Sequence, residues 1–78
     1  MDMRKLRERA GLRAVDVGFR LGVNESTVRN WEKGRTVPRF TLNQIDELLS
    51  MFNCTYEELR DAMRESMVTQ EEDAEGSE

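Results

Sequence analysis

Six polar side chains crowd one short stretch: Glu25, Ser26, Thr27, Arg29, Asn30 and Lys33. A carboxylate, two hydroxyls, an amide and two cations offer donors and acceptors together, a set suited to hydrogen bonding. Bond-breaking chemistry is not supported. Ser26 and Thr27 have no general base beside them, and the chain has no histidine. Glu57, Glu58 and Asp61 fall on a helix surface without a cleft, which argues against paired-carboxylate catalysis. With no histidine and a single cysteine, Cys54, neither a metal site nor an internal disulfide is expected. No cofactor and no enzymatic activity are expected.

The elements that position this stretch follow from helical periodicity. Met3, Leu6 and Ala10 share one face of a first helix that Gly11 stops. A second helix runs from about Ala14 to Leu21, with Ala14, Val17, Gly18 and Leu21 on one stripe, and Gly22 ends it. Asn24 is a good N-cap for a third helix, with Val28 and Trp31 inside and Gly34 as its stop. Pro38 breaks the connection that follows. Thr41 to Gln44 is a capping box opening a fourth helix, which places Leu42, Ile45, Leu48, Leu49 and Phe52 inward and closes at Asn53. Thr55 to Glu58 is a second capping box. It opens a fifth helix with Tyr56, Leu59 and Met63 inside. No segment alternates with period two, so the expected fold is all-α: five short helices on one small core.

Only Gly22, Val23 and Asn24 separate the second helix from the third. A turn that short makes the two helices cross steeply, which is the helix-turn-helix unit. Gly18 is small, so the third helix can approach the second closely, and Gly22 permits the positive backbone angle of the turn.

Total charge speaks against a nucleic-acid partner: the net charge is −4 and the isoelectric point near 4.9. The distribution speaks otherwise. Residues 1–39 carry ten bases against five acids, residues 40–65 two bases against six acids, and residues 66–78 five acids and no base. The last segment has too few large apolar residues to offset the entropy of ordering and is expected to be a disordered acidic tail on a folded unit of residues 1–65. No apolar run approaches a membrane span, and the N-terminus lacks the apolar core of a secretion signal. A cytoplasmic, DNA-associated protein is expected.

Leu6-Arg7-x-x-x-Gly11-Leu12, the run Gly22 to Gly34 ending in Trp31-Glu32-Lys33-Gly34, and Pro38 together resemble the phage-repressor and Cro-type helix-turn-helix (XRE) family over about residues 3–63. The resemblance implies a lambda-repressor-like DNA-binding domain whose third helix, about residues 25–33, enters the major groove of double-stranded DNA. Base edges would then meet Glu25, Ser26, Thr27, Arg29 and Asn30. Asn30 suits adenine, Arg29 guanine or a phosphate, and Glu25 the cytosine amino group. Phosphate contacts would fall to Arg13, Asn24, Lys33, Arg35, Thr36, Arg39 and Phe40, the last through its backbone. Arg7 and Glu32 match a family ion pair between the first and third helices. Trp31 and Cys54 are expected in the core, Cys54 as an inert thiol.

Two departures stand out. Arg13 and Ala14 replace the usual Ser or Thr cap and a backbone-touching Gln. Val15 and Phe19, four residues apart, put an apolar patch where charged residues are usual, a candidate contact for a protein partner or the tail. One such module buries little DNA surface, so a homodimer on two half-sites is expected. The pairing surface would lie on the fourth and fifth helices, with Leu59, Met63 and Met67. The resulting reading is a sequence-specific, dimeric DNA-binding transcriptional regulator. The alternative is a protein-interaction module of the same fold, antitoxin-like or a transcription-complex partner.

Overall fold

Local signals decide where each helix starts and stops. In the computed structural model, which describes residues 1–76 and their side chains through Met67, α1 spans Met3–Arg9, α2 Ala14–Leu21, α3 Glu25–Glu32, α4 Leu42–Phe52 and α5 Tyr56–Gly76. Asp2 caps α1 by accepting from the Lys5 backbone N–H at 2.9 Å. Thr41 and Gln44 close a reciprocal capping box at α4, as Thr55 and Glu58 do at α5. Gly22 caps α2 with a φ of 76°, and Asn53 caps α4 with a φ of 50°. Asparagine tolerates that left-handed region because its short side chain bonds locally.

Two caps differ from expectation. Asn24 occupies the N-cap of α3 in extended conformation but makes no side-chain cap bond. At α2 the Asp16 carboxylate supplies what Arg13 lacks. It accepts from the Arg13 backbone N–H at 2.9 Å and from its guanidinium at 3.0 and 3.1 Å.

The core gathers Met3, Leu6, Ala14, Val17, Leu21, Val28, Trp31, Leu48, Phe52, Leu59 and Ala62, drawn from all five helices. The anticipated inner faces of α2 and α3 are both buried. Leu42 and Tyr56, expected inside, are 82% and 56% exposed; each is the first residue of its helix and overhangs the core. Leu59, expected both on the inner face of the fifth helix and on a pairing surface, is 2% exposed and belongs to the core.

Packing continues one residue past the expected end of the folded unit at residue 65. Ser66 is 2% exposed, and its hydroxyl accepts from the Met3 backbone N–H at 3.2 Å. That N–H is among the donors a helix cannot satisfy in its first turn, so Ser66 closes α5 onto α1. The acidic side chains of the predicted tail begin at Glu71 and lie outside the described side chains.

Two of the capping carboxylates make the fold sensitive to acid. The Thr55 backbone N–H, and then Arg9, hold Glu58 below the usual carboxylate range. The Arg13 guanidinium, and then the Arg13 backbone N–H, do the same for Asp16. A carboxylate with a lowered folded pKa adds stability above its unfolded pKa and loses it as pH falls through the folded value. The melting temperature should therefore hold from neutrality to about pH 5 and drop below about pH 4. Thermal melts of Glu58→Gln and Asp16→Asn should show a flatter acid limb. Variants that melt in parallel with the parent at every pH would mean that neither carboxylate shapes the acid limb.

Candidate nucleic-acid interface

The helix-turn-helix unit depends on one close approach. Gly18 lies where a Cβ would stand 2.6 Å from the Val23 carbonyl oxygen. The Val23 N–H donates to the Gly18 carbonyl at 2.9 Å across the same spot. The turn backbone is thus seated directly on α2, which sets the crossing of α2 and α3. On the far side, Arg7 of α1 fixes α3. Its Nε and Nη2 donate to the two carboxylate oxygens of Glu32 at 2.6 and 3.1 Å, and its Nη1 donates to the Leu12 carbonyl at 2.9 Å. Both side chains are below a tenth exposed. The Glu32 carboxylate raises the Arg7 pKa above its ordinary value, so the guanidinium stays charged. Trp31 completes the anchor and packs edge-on against Phe40 with ring centroids 4.9 Å apart.

So held, α3 turns Val28 and Trp31 inward and leaves Glu25, Ser26 and Arg29 exposed and Thr27 and Asn30 half-buried. All five expected base-reading residues therefore lie on one helix, outside its core stripe. Arg29 is not unattached, however. Its Nε and Nη2 donate to Glu25 Oε2 at 3.0 and 2.7 Å, one helical turn away.

Cations sort into two groups. Arg4, Arg7, Arg9, Arg13, Arg20, Arg29 and Arg60 each have a carboxylate within 4 Å. Among the described residues Lys5, Lys33, Arg35, Arg39 and Arg64 have none. Three of these five, Lys33, Arg35 and Arg39, are exposed at the end of α3 and in the loop after it. The Arg35 N–H closes that end by donating to the Asn30 carbonyl at 2.9 Å. The backbone N–H groups of Thr36 and Phe40 in the same loop have no protein acceptor among the described residues. Asn24 offers an uncommitted amide at the opposite end of α3. Arg13 is paired with Asp16, and its side chain is 79% exposed.

Val15 and Phe19 are 43% and 86% exposed on α2. Cys54 is half-buried, and burial pushes its thiol pKa up, which suits an unreactive side chain. Among the described residues no group of acidic and cysteine side chains could hold a metal ion. No helix among them is long and apolar enough to cross a membrane. The expected pairing residues Met63 and Met67 line an apolar groove of about 460 Å³ between the α3–α4 loop and α5, together with Val37, Pro38, Ile45 and Tyr56.

Comparison with known proteins agrees with this geometry. Residues 2–63 match the family model of a helix-turn-helix domain. The chain is also 33% identical over 76 residues to a candidate HTH-type transcriptional regulatory protein of Archaeoglobus fulgidus. That alignment covers 97% of this chain and 24% of the relative, so the chain spans about a quarter of the relative's length. No solved structure matches. With the crossed α2–α3 pair held by Gly18, Arg7 and Trp31, and the family model covering α1 through most of α5's packed part, the chain belongs to the helix-turn-helix domain family.

Proposed function

We propose that the protein is a sequence-specific DNA-binding transcriptional regulator that works as a dimer, with α3 in the major groove. One observation carries the reading. The exposed face of α3 holds neutral donors and acceptors and a charge-balanced pair, while three of the five cations without a carboxylate partner among the described residues cluster just beyond it. That division matches the two tasks of DNA recognition: base edges are read by Ser26, Thr27, Asn30 and the Glu25–Arg29 pair, and phosphates are gripped by Lys33, Arg35 and Arg39. Asn24, and the backbone of Thr36 and Phe40, add neutral phosphate contacts. The apolar groove beside α5 is the surface for a second copy, with Met63 and Met67 at its edge. Pairing would set two α3 helices about one DNA turn apart. Selection from a random duplex pool at moderate salt should enrich a palindrome, and Asn30→Ala should abolish the enrichment. Salt-sensitive binding without enrichment would reduce the function to nonspecific association.

Residues 68–78 carry five acids and no base. Removing them should tighten DNA binding, most visibly at low ionic strength, where repulsion reaches furthest. The cut belongs at 68, because Ser66 is part of the packed structure. Unchanged affinity at every salt concentration would leave the segment a solubility feature.

A second reading, a protein-interaction module of the same fold, is favoured by one feature: Phe19 is 86% exposed beside Val15 on α2. The two side chains lie one helical turn apart and form an apolar patch, and contiguous exposed patches mark interaction sites. Val15→Lys with Phe19→Lys should weaken partner capture and leave DNA affinity in place. If both persist unchanged, the patch has no such role.

A further inference from the structure

We propose that Glu25 and Arg29 act as one composite reader of a G·C base pair, with Glu25 setting the preference by holding Arg29. The inference rests on the reading of α3 as the major-groove helix. Glu25 is the first residue of α3 and Arg29 lies one turn along it. Arg29 Nε and Nη2 both converge on the same oxygen, Glu25 Oε2, at 3.0 and 2.7 Å. That convergence leaves Glu25 Oε1 without a hydrogen-bond donor and Arg29 Nη1 without an acceptor among the described residues. The two side chains stay 45% and 55% exposed. An acceptor and a donor pair are therefore presented side by side, and no third side chain hydrogen-bonds to either among the described residues.

The major-groove edge of a G·C pair is the complement of this arrangement. Guanine offers N7 and O6 as acceptors, and cytosine offers its N4 amino group as a donor. Nη1 of Arg29 fits the guanine acceptors and Oε1 of Glu25 fits the cytosine amino group. Against thymine the carboxylate would face O4 and the methyl group, neither of which can donate, and its desolvation would go uncompensated. The contact with Oε2 weakly biases the guanidinium toward this orientation before DNA arrives, so slightly less side-chain freedom is lost on binding. A lone arginine at this place would serve a phosphate as readily as a base. The carboxylate makes phosphate a poor neighbour and commits the pair to a base edge.

The test uses the full chain and the palindrome selected by the parent protein, with each base pair replaced in turn, and reads Kd at fixed salt. The parent should prefer G·C by about tenfold at one position in each half-site. Glu25→Gln should lower that preference to below roughly threefold and tighten binding to an unrelated duplex, since one negative charge is gone. Arg29→Gln should lose the same preference, and the double variant should lose no more than either single one. Circular dichroism establishes that each variant keeps its helix content. A Glu25→Gln protein that retains the full G·C preference overturns the composite reader, as does loss of preference in Arg29→Gln alone. A parent protein with no preference at any position would overturn the major-groove reading itself, which separates the two failures.

Discussion

Glu32→Gln should strip the domain of most of its stability at room temperature, leaving about 0–2 kcal/mol. Arg7 is buried, and Glu32 is the carboxylate that receives two of its donors. Removing one partner of a buried pair typically costs about 3–5 kcal/mol, because the other charge is stranded. A domain of this size has on the order of 5 kcal/mol to lose. Arg7→Ala should be as damaging, since it orphans Glu32 and also the Leu12 carbonyl. Replacing both, as Arg7→Met with Glu32→Leu, should recover much of the loss, because no unpaired charge is left buried. Urea denaturation followed by circular dichroism measures all four proteins. Single variants as stable as the parent would mean that the pair is solvated and does not lock α3 to α1.

Lys33→Ala, Arg35→Ala and Arg39→Ala combined should abolish most DNA affinity without unfolding the protein. None of the three has a carboxylate within 4 Å among the described residues, and all are exposed. Their removal should therefore cost little stability, within about 0.5 kcal/mol for each surface substitution. Deleting one phosphate-binding cation reduces the slope of log affinity against log salt by about 0.9. Three such cations in each of two protomers should lower the slope by about five and the affinity by roughly a hundredfold or more near 0.1 M salt. Fluorescence anisotropy titrations at several salt concentrations read both quantities. Arg4→Ala, on a side chain already paired with Glu8, provides the contrast and should barely move the slope. Equal effects in the two proteins would mean that general basicity, rather than the loop after α3, supplies the grip.

Helix boundaries are legible in the sequence because they are written in local chemistry. Thr41 with Gln44, Thr55 with Glu58, and Gly22 and Asn53 at positive φ each need only neighbours within a few residues. The Arg7–Glu32 pair is reached through family resemblance, and the two side chains meet at 2.6 Å. What escapes depends on chain separation or on balance. Ser66 reads as a polar start to an acidic tail, yet it answers an N–H 63 residues away. Leu42 and Tyr56 satisfy the apolar period of their helices, but the period does not tell whether a first-turn residue reaches the core. Arg29 has two attractions within reach, a carboxylate one turn back and an incoming DNA edge. An exposed pair at that spacing is worth only a few tenths of a kcal/mol, too little for spacing alone to decide which it takes. The partition of charge is legible by segment, whereas the pairing of individual arginines depends on how the helices pack.

The most direct test of α3 as the major-groove reader uses base analogues in the selected duplex. Replacing purines with their 7-deaza forms removes the N7 acceptor from the major groove and leaves pairing intact. Replacing guanine with inosine removes the N2 amino group from the minor groove alone. Binding should weaken by about tenfold at each 7-deaza purine facing Arg29 or Asn30 and stay within about twofold for the inosine duplexes. Insensitivity to every 7-deaza substitution, or a weakening confined to the inosine duplexes, would contradict the placement of α3.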